Sequence, residues 1–153
     1  TAMHLCAATG LAPGVVVLAK AGAEINSVVQ KYTPLLMAIG YNKPFTTEVL
    51  LKCGADTSIE DAEGNSAIEF VEGLIAQERQ ADADGANEEG GNFITKTFTK
   101  KVNKRLDALL EMQETLKQVP AAGRVPPEET VRNIEDMFDE IGQLVDLDKP
   151  LNV

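Results

Sequence analysis

Apolar residues are spaced in two different ways along this chain. In the second half, Ile94, Phe98, Val102, Leu106, Leu109, Leu110, Leu116 and Val119 recur mostly at three- and four-residue steps, which predicts an amphipathic helix ending before Pro120. The segment Ala121-Ala122-Gly123-Arg124-Val125-Pro126-Pro127 breaks that pattern. Pro127 suits the first turn of a new helix, and Glu128 and Glu129 complement the positive end of its dipole. Val131, Ile134, Phe138, Ile141, Leu144 and Val145 then line one face. Residues 93–148 are therefore expected to form a helical hairpin. The first half has no long stripe. Its apolar residues come in short clusters, the longest around Val15-Val16-Val17-Leu18-Ala19, far below the ~18 residues needed to cross a bilayer.

Those short clusters repeat. Thr1-Ala2-Met3-His4-Leu5-Cys6-Ala7-Ala8-Thr9-Gly10 leads to Lys20-Ala21-Gly22-Ala23-Glu24-Ile25-Asn26, and Thr33-Pro34-Leu35-Leu36 leads to Lys52-Cys53-Gly54-Ala55-Asp56-Thr57-Ser58. In both, the Gly-Ala-acid triplet lies 21 residues after the threonine. A third copy opens at Asp61-Ala62-Glu63-Gly64-Asn65-Ser66-Ala67-Ile68. It then runs Glu72-Gly73-Leu74-Ile75-Ala76 without a second triplet, and is expected to be a modified last unit, a single helix reaching about Gln80.

A period of about 33 residues with this wording resembles the ankyrin repeat. The resemblance covers about residues 1–72, some two and a half units within a domain spanning residues 1–80. It implies helix-turn-helix units with protruding β-hairpin fingers, stacked into a short solenoid. The fold class expected is all-α, with the two C-terminal helices as an extension. Some positions depart from the family pattern: Ala2 stands where proline is usual, Leu36 and Glu69 replace histidine, Asn42 replaces the turn glycine, and the first finger is one residue short between Asn26 and Thr33. The family's binding face is made of finger tips and the exposed side of the inner helices. Carried over by position, it points to Val29, Gln30 and Tyr32 on the first finger, Ala62, Glu63 and Asn65 on the second, and Tyr41 at the end of an inner helix. Tyrosine is enriched among residues that anchor interfaces, which makes Tyr32 and Tyr41 the leading contact candidates. An apolar pair at a finger tip, Val28-Val29, also asks for a cover.

Composition narrows the function. A net charge of −10 argues against nucleic acid, whose affinity comes from clustered Lys and Arg. Expected partners are proteins, on the concave face and at the N-terminal edge, where the first unit has nothing stacked against it. Cys6 and Cys53 read as small apolar residues of a reducing compartment. The location implied is intracellular, either cytoplasmic or an organelle if the N-terminus is a processed one.

Candidate chemistry is sparse. His4 is the single histidine, and the resemblance gives its position a structural role in tying a helix start to the neighbouring unit. Cys6 and Cys53 are 47 residues apart, unlike the close spacing of zinc ligands. No phosphate-loop motif is present. The expectation is therefore of no enzyme, no catalytic residue, no cofactor and no metal: a non-catalytic adaptor or structural subunit of a larger assembly, or a regulatory adaptor that binds transiently. Residues 81–92, small, acidic and glycine-rich, read as a flexible linker. A calcium-responsive alternative rests on Gln80, Asp82, Asp84 and Gly85 matching the start of an EF-hand-type loop, although Gly91 falls where a bidentate glutamate belongs. Lys96, Lys100, Lys101, Lys104 and Arg105 are expected to pair with Glu135, Asp136, Asp139, Glu140, Asp146 and Asp148 across the C-terminal hairpin.

Overall fold

The computed structural model describes residues 1–85, 93–119 and 125–144, with side chains placed outside residues 82–103 and 144. The described residues form seven helices: α1 (Ala2–Thr9), α2 (Ala12–Lys20), α3 (Pro34–Gly40), α4 (Pro44–Lys52), α5 (Ala67–Gly85), α6 (Phe93–Lys117) and α7 (Pro127–Leu144). The fold is all-α. Helices of seven to nine residues such as α1 to α4 are marginal in water on their own, so packing holds them.

Each unit starts in the same way. The Thr1 hydroxyl accepts from the His4 N–H at 3.3 Å, and the Thr33 hydroxyl accepts from the Leu36 N–H at 3.2 Å. At the third start Glu69 reaches back instead, taking the Ser66 N–H and hydroxyl, both at 2.8 Å. These bonds satisfy donors that a helix start leaves free. The turn inside each pair also repeats. Gly10 at φ 81° and Asn42 at φ 57° occupy the same place, and the following N–H returns to the earlier helix, Leu11 to the Cys6 carbonyl and Lys43 to the Ala38 carbonyl. Asn tolerates that left-handed backbone better than most side chains do, which is why it can replace the glycine.

The pairs α1–α2 and α3–α4 stack through α1 on α3 and α2 on α4, and α5 continues the row of α3. Here the expectation of a single-helix last unit is corrected. Helix α6 packs on α5 and on α4, standing to them as α4 stands to α3 and α2. Its Leu109, Met112 and Leu116 are fully buried in the same core as Leu35, Ile39 and Leu50. Helix α7 lies across α2 and α4.

The expected C-terminal hairpin charge pairing also gives way. Arg105 of α6 pairs with Glu78 of α5 at 2.9 Å, and Glu135 of α7 meets Lys20 of α2 at 3.7 Å. The side chains of Lys96, Lys100 and Lys101, and residues Asp146 and Asp148, lie outside those described. Helix α6 packs on α5 and α4, and α7 on α2 and α4, and the charges follow those neighbours. Helix α5 runs on to Gly85, past the expected boundary at Gln80. Residues 86–92 of the expected linker lie outside those described.

Among the described residues there is no strand. The first expected finger is a single antiparallel bridge, Val29 with Tyr32, each N–H bonding the other's carbonyl at 3.0 Å. Between them Gln30 and Lys31 have φ 51° and 66°, the positive angles of a type I′ turn. No described helix is long and apolar enough to cross a membrane.

Candidate functional site

The inner row is fixed by polar contacts that cross between units. The buried His4 accepts from or donates to two partners, Thr1 Oγ1 at 2.6 Å through Nδ1 and the Tyr32 carbonyl at 2.9 Å through Nε2. A carbonyl only accepts, so Nε2 carries a proton. The ring thereby ties the start of α1 to the residue preceding the α3 cap. Asn26 does the same on the outer side, donating to the Gly54 carbonyl at 3.3 Å and accepting from the Asp56 N–H at 2.8 Å.

The second loop is built around one carboxylate. Asp61 Oδ1 accepts from the Glu63 N–H at 2.8 Å and the Asn65 N–H at 2.9 Å, and the Asn65 amide bonds both carboxylate oxygens. The Asn65 backbone bond, above all, holds the Asp61 carboxyl below its usual range, with burial opposing and the Asn65 side chain and the Glu63 and Gly64 N–H groups assisting. The Glu69 carboxyl is likewise lowered, chiefly by the Ser66 N–H. Ala62 and Glu63 are exposed at the tip, while Asn65 is half-buried and occupied by Asp61.

The two tyrosines part company. Tyr32 is half-buried, its ring edge-on to Phe70 with centroids 6.4 Å apart. Tyr41, which caps α3, is 59% exposed. Phe45, in the first turn of α4, is 68% exposed. Both aromatics thus flank the Asn42-Lys43 turn and both face solvent. Phe45 escaped the sequence reading because the resemblance directs attention to fingers and inner helices; its signal was an aromatic just after Pro44, before the helix turns inward at Thr46 and Thr47. At the opposite end of α3, Val28, Val29 and Gln30 are exposed. The seven residues of α3 put about 10 Å between these two ends.

The remaining candidate chemistry is placed as follows. Cys6 and Cys53 are free thiols, and burial pushes Cys53 up to about 11. Gln80 to Gly85 form the end of α5, a helical backbone that cannot wrap carboxylates around an ion as the loop of the calcium-responsive alternative would; the later positions of that loop, 86–91, lie outside the described residues. Among the described residues no group of three or more His, Cys, Asp or Glu could hold a metal ion. Val125, Pro127 and Thr130 at the start of α7 close a cleft of about 440 Å³ against Ile25, Cys53 and Gly54.

What these features define is a helical array with two solvent-facing aromatics, Tyr41 and Phe45, beside the turn that follows one internal helix. No known family's sequence model matches the chain. It is 34% identical over 86 residues, 55% of its own length, to the phosphocholine transferase AnkX of Legionella pneumophila subsp. pneumophila. The matched stretch is 8% of that protein. This finding runs against the expectation of no enzyme: the protein with which the chain shares this segment is a transferase.

Proposed function

We propose that this chain is a protein-binding module of the ankyrin-repeat type, an adaptor or structural subunit whose partner docks at the two ends of α3. The observation that carries this is Tyr41 and Phe45, 59% and 68% exposed on either side of one turn. Large aromatics left in water are costly, and they are the residues most often found as interface anchors. Val28 and Val29, with the left-handed Gln30-Lys31 turn beside them, supply a second apolar spot. Backbone strain at an exposed tip is typical of positions kept for binding. Tyr32 belongs to the support and not to the contact, since its ring rests on Phe70.

Replacing Tyr41 and Phe45 together by Ala is expected to weaken partner capture at least tenfold and leave the melting temperature within about 2 °C. Tyr32→Ala is expected to lower the melting temperature clearly. Equal capture by the double variant and the parent would overturn the assignment. The shared segment with AnkX favours a second reading, in which such a module belongs to a larger phosphocholine-transferring protein. Transfer of a labelled phosphocholine group in the presence of a protein containing this chain, and its loss in the Tyr41/Phe45 variant, is the test of that reading.

A further inference from the structure

We infer that the face of α2 and α4 beneath α7 is a receiving groove for an acidic amphipathic helix of a partner protein, and that α7 is its tethered, exchangeable occupant. This surface is separate from the ends of α3, and the inference is independent of what Tyr41 and Phe45 bind. Helix α7 lies on α2 and α4. Its Thr130, Ile134, Met137 and Ile141 follow one another at three- and four-residue steps and are half-buried, the last three against the core. No described side chain of α7 is fully buried, whereas α6 buries Leu109, Met112 and Leu116 completely. Two further apolar residues of α7 stay largely in water, Val131 at 58% and Phe138 at 38% exposure. Its polar ties to the helices beneath it, among the described residues, are slight. The Asn133 amide donates to the Lys52 carbonyl at 3.3 Å. The Lys20 ammonium stands 3.7 Å from the Glu135 carboxylate and 5.7 Å from the centre of the Phe138 ring, and both members of the ion pair are exposed, where such pairs contribute little. An element with so few buried contacts opens at lower cost than the core below it, so α7 can leave while α1 to α6 stay packed.

The chemistry of the occupant defines the partner. Helix α7 carries Glu128, Glu129, Glu135, Asp136, Asp139 and Glu140 against Arg132 as its one cation. The surface that receives it has the opposite sign at its rim: α2 contains no acid and ends in Lys20, and α4 ends in Lys52. Its floor is apolar near the start of α7, with Ile25 and Cys53 facing Thr130, and Leu51 and Val119 in a second cleft beside Glu129. Gly54, at φ 92°, lets the helix come in close, because a Cβ there would stand 3.1 Å from the Thr130 methyl. Lysines over an apolar floor select a helix with apolar residues at three- and four-residue steps and acids beside them. A tethered occupant of the same kind lowers the apparent affinity for a partner by the fraction of time the groove stands open.

The test uses the full chain and a fluorescent peptide of residues 127–144, with binding followed by anisotropy. The parent is expected to bind the peptide weakly, because its own α7 competes. Ile134→Ser with Met137→Ser in the chain loosens that competitor and is expected to tighten binding about tenfold or more. Adding Lys20→Glu to the loosened chain is expected to weaken binding about threefold, and Glu135→Lys in the peptide to restore it. A lock gives a second measurement. Gly54→Cys with Thr130→Cys, in a chain carrying Cys6→Ala and Cys53→Ala, sets two Cβ atoms 3.8 Å apart, the usual separation in a disulfide. Oxidation is expected to abolish peptide binding and reduction to bring it back. Equal binding by the oxidised and reduced forms, no binding by the loosened chain, or no effect of Lys20→Glu would overturn the inference. So would a disulfide-linked dimer on oxidation, which would give the groove to α7 of a second copy of the chain.

Discussion

Asp61 holds the second loop with a single side chain, and its chemistry makes the loop acid-sensitive. The unfolded chain takes up its carboxyl proton near pH 4, while the folded Asp61, stabilised by the Asn65 and Glu63 N–H groups, still resists. The unfolded state therefore binds more protons in that window, and stability falls as pH drops from about 5 through the lowered folded value. Asp61→Ala is expected to cost about 1–3 kcal/mol at pH 7 and to flatten the acid limb of stability against pH, read from urea melts between pH 3 and 7. A flat parent profile would show that the loop does not depend on this carboxylate. Cys53 gives the opposite limb. Because burial raises its thiol to about 11, the unfolded chain ionises first, and stability is lost between about pH 9 and 11. Asp61 stood out in the sequence as the opening of a repeat, but the bonds it makes depend on a backbone turn through Gly64 that spacing alone does not specify.

Turns and helices sort into those that sequence made legible and those that packing decided. The starts at Thr1, Thr33 and Ser66 were readable because a hydroxyl ahead of a short apolar cluster is a capping signal. The partners of α6 and α7 were not, since an amphipathic stripe states that a face is buried and is silent on what buries it. Helix α6 has fully buried residues, whereas Ile134, Met137 and Ile141 of α7 are only half-buried. Met112→Ala is accordingly expected to cost about 2–5 kcal/mol, and Ile134→Ala about 1 kcal/mol, by denaturant unfolding. Equal costs would contradict this ordering of the two helices. The Gln30-Lys31 turn tests strain: Asn-Gly in its place meets both positive φ angles with less penalty, and should raise stability by about 1–2 kcal/mol. Asn42→Gly is expected to add about 0.5–1 kcal/mol, because it removes a left-handed side chain whose Oδ1 is buried without a hydrogen-bond partner.

Taken together, the helices form a continuous core from Met3 and Val15 to Leu109 and Leu116, with the repeat in the first half completed by a helix from the second. The repeat was legible because its threonines and Gly-Ala-acid triplets recur in register; its completion was hidden because α6 carries none of those words. The same limit applies to function: position in a repeat singled out Tyr32 and Tyr41 together, and only burial separates them. Photo-crosslinking distinguishes their roles most directly, with p-benzoylphenylalanine placed at residue 41 in one full-length protein and at residue 32 in another. The account predicts an intermolecular adduct to a partner protein from position 41 and an intramolecular one to the α5 segment around Phe70 from position 32. Intermolecular adducts from position 32 with none from position 41 would contradict it.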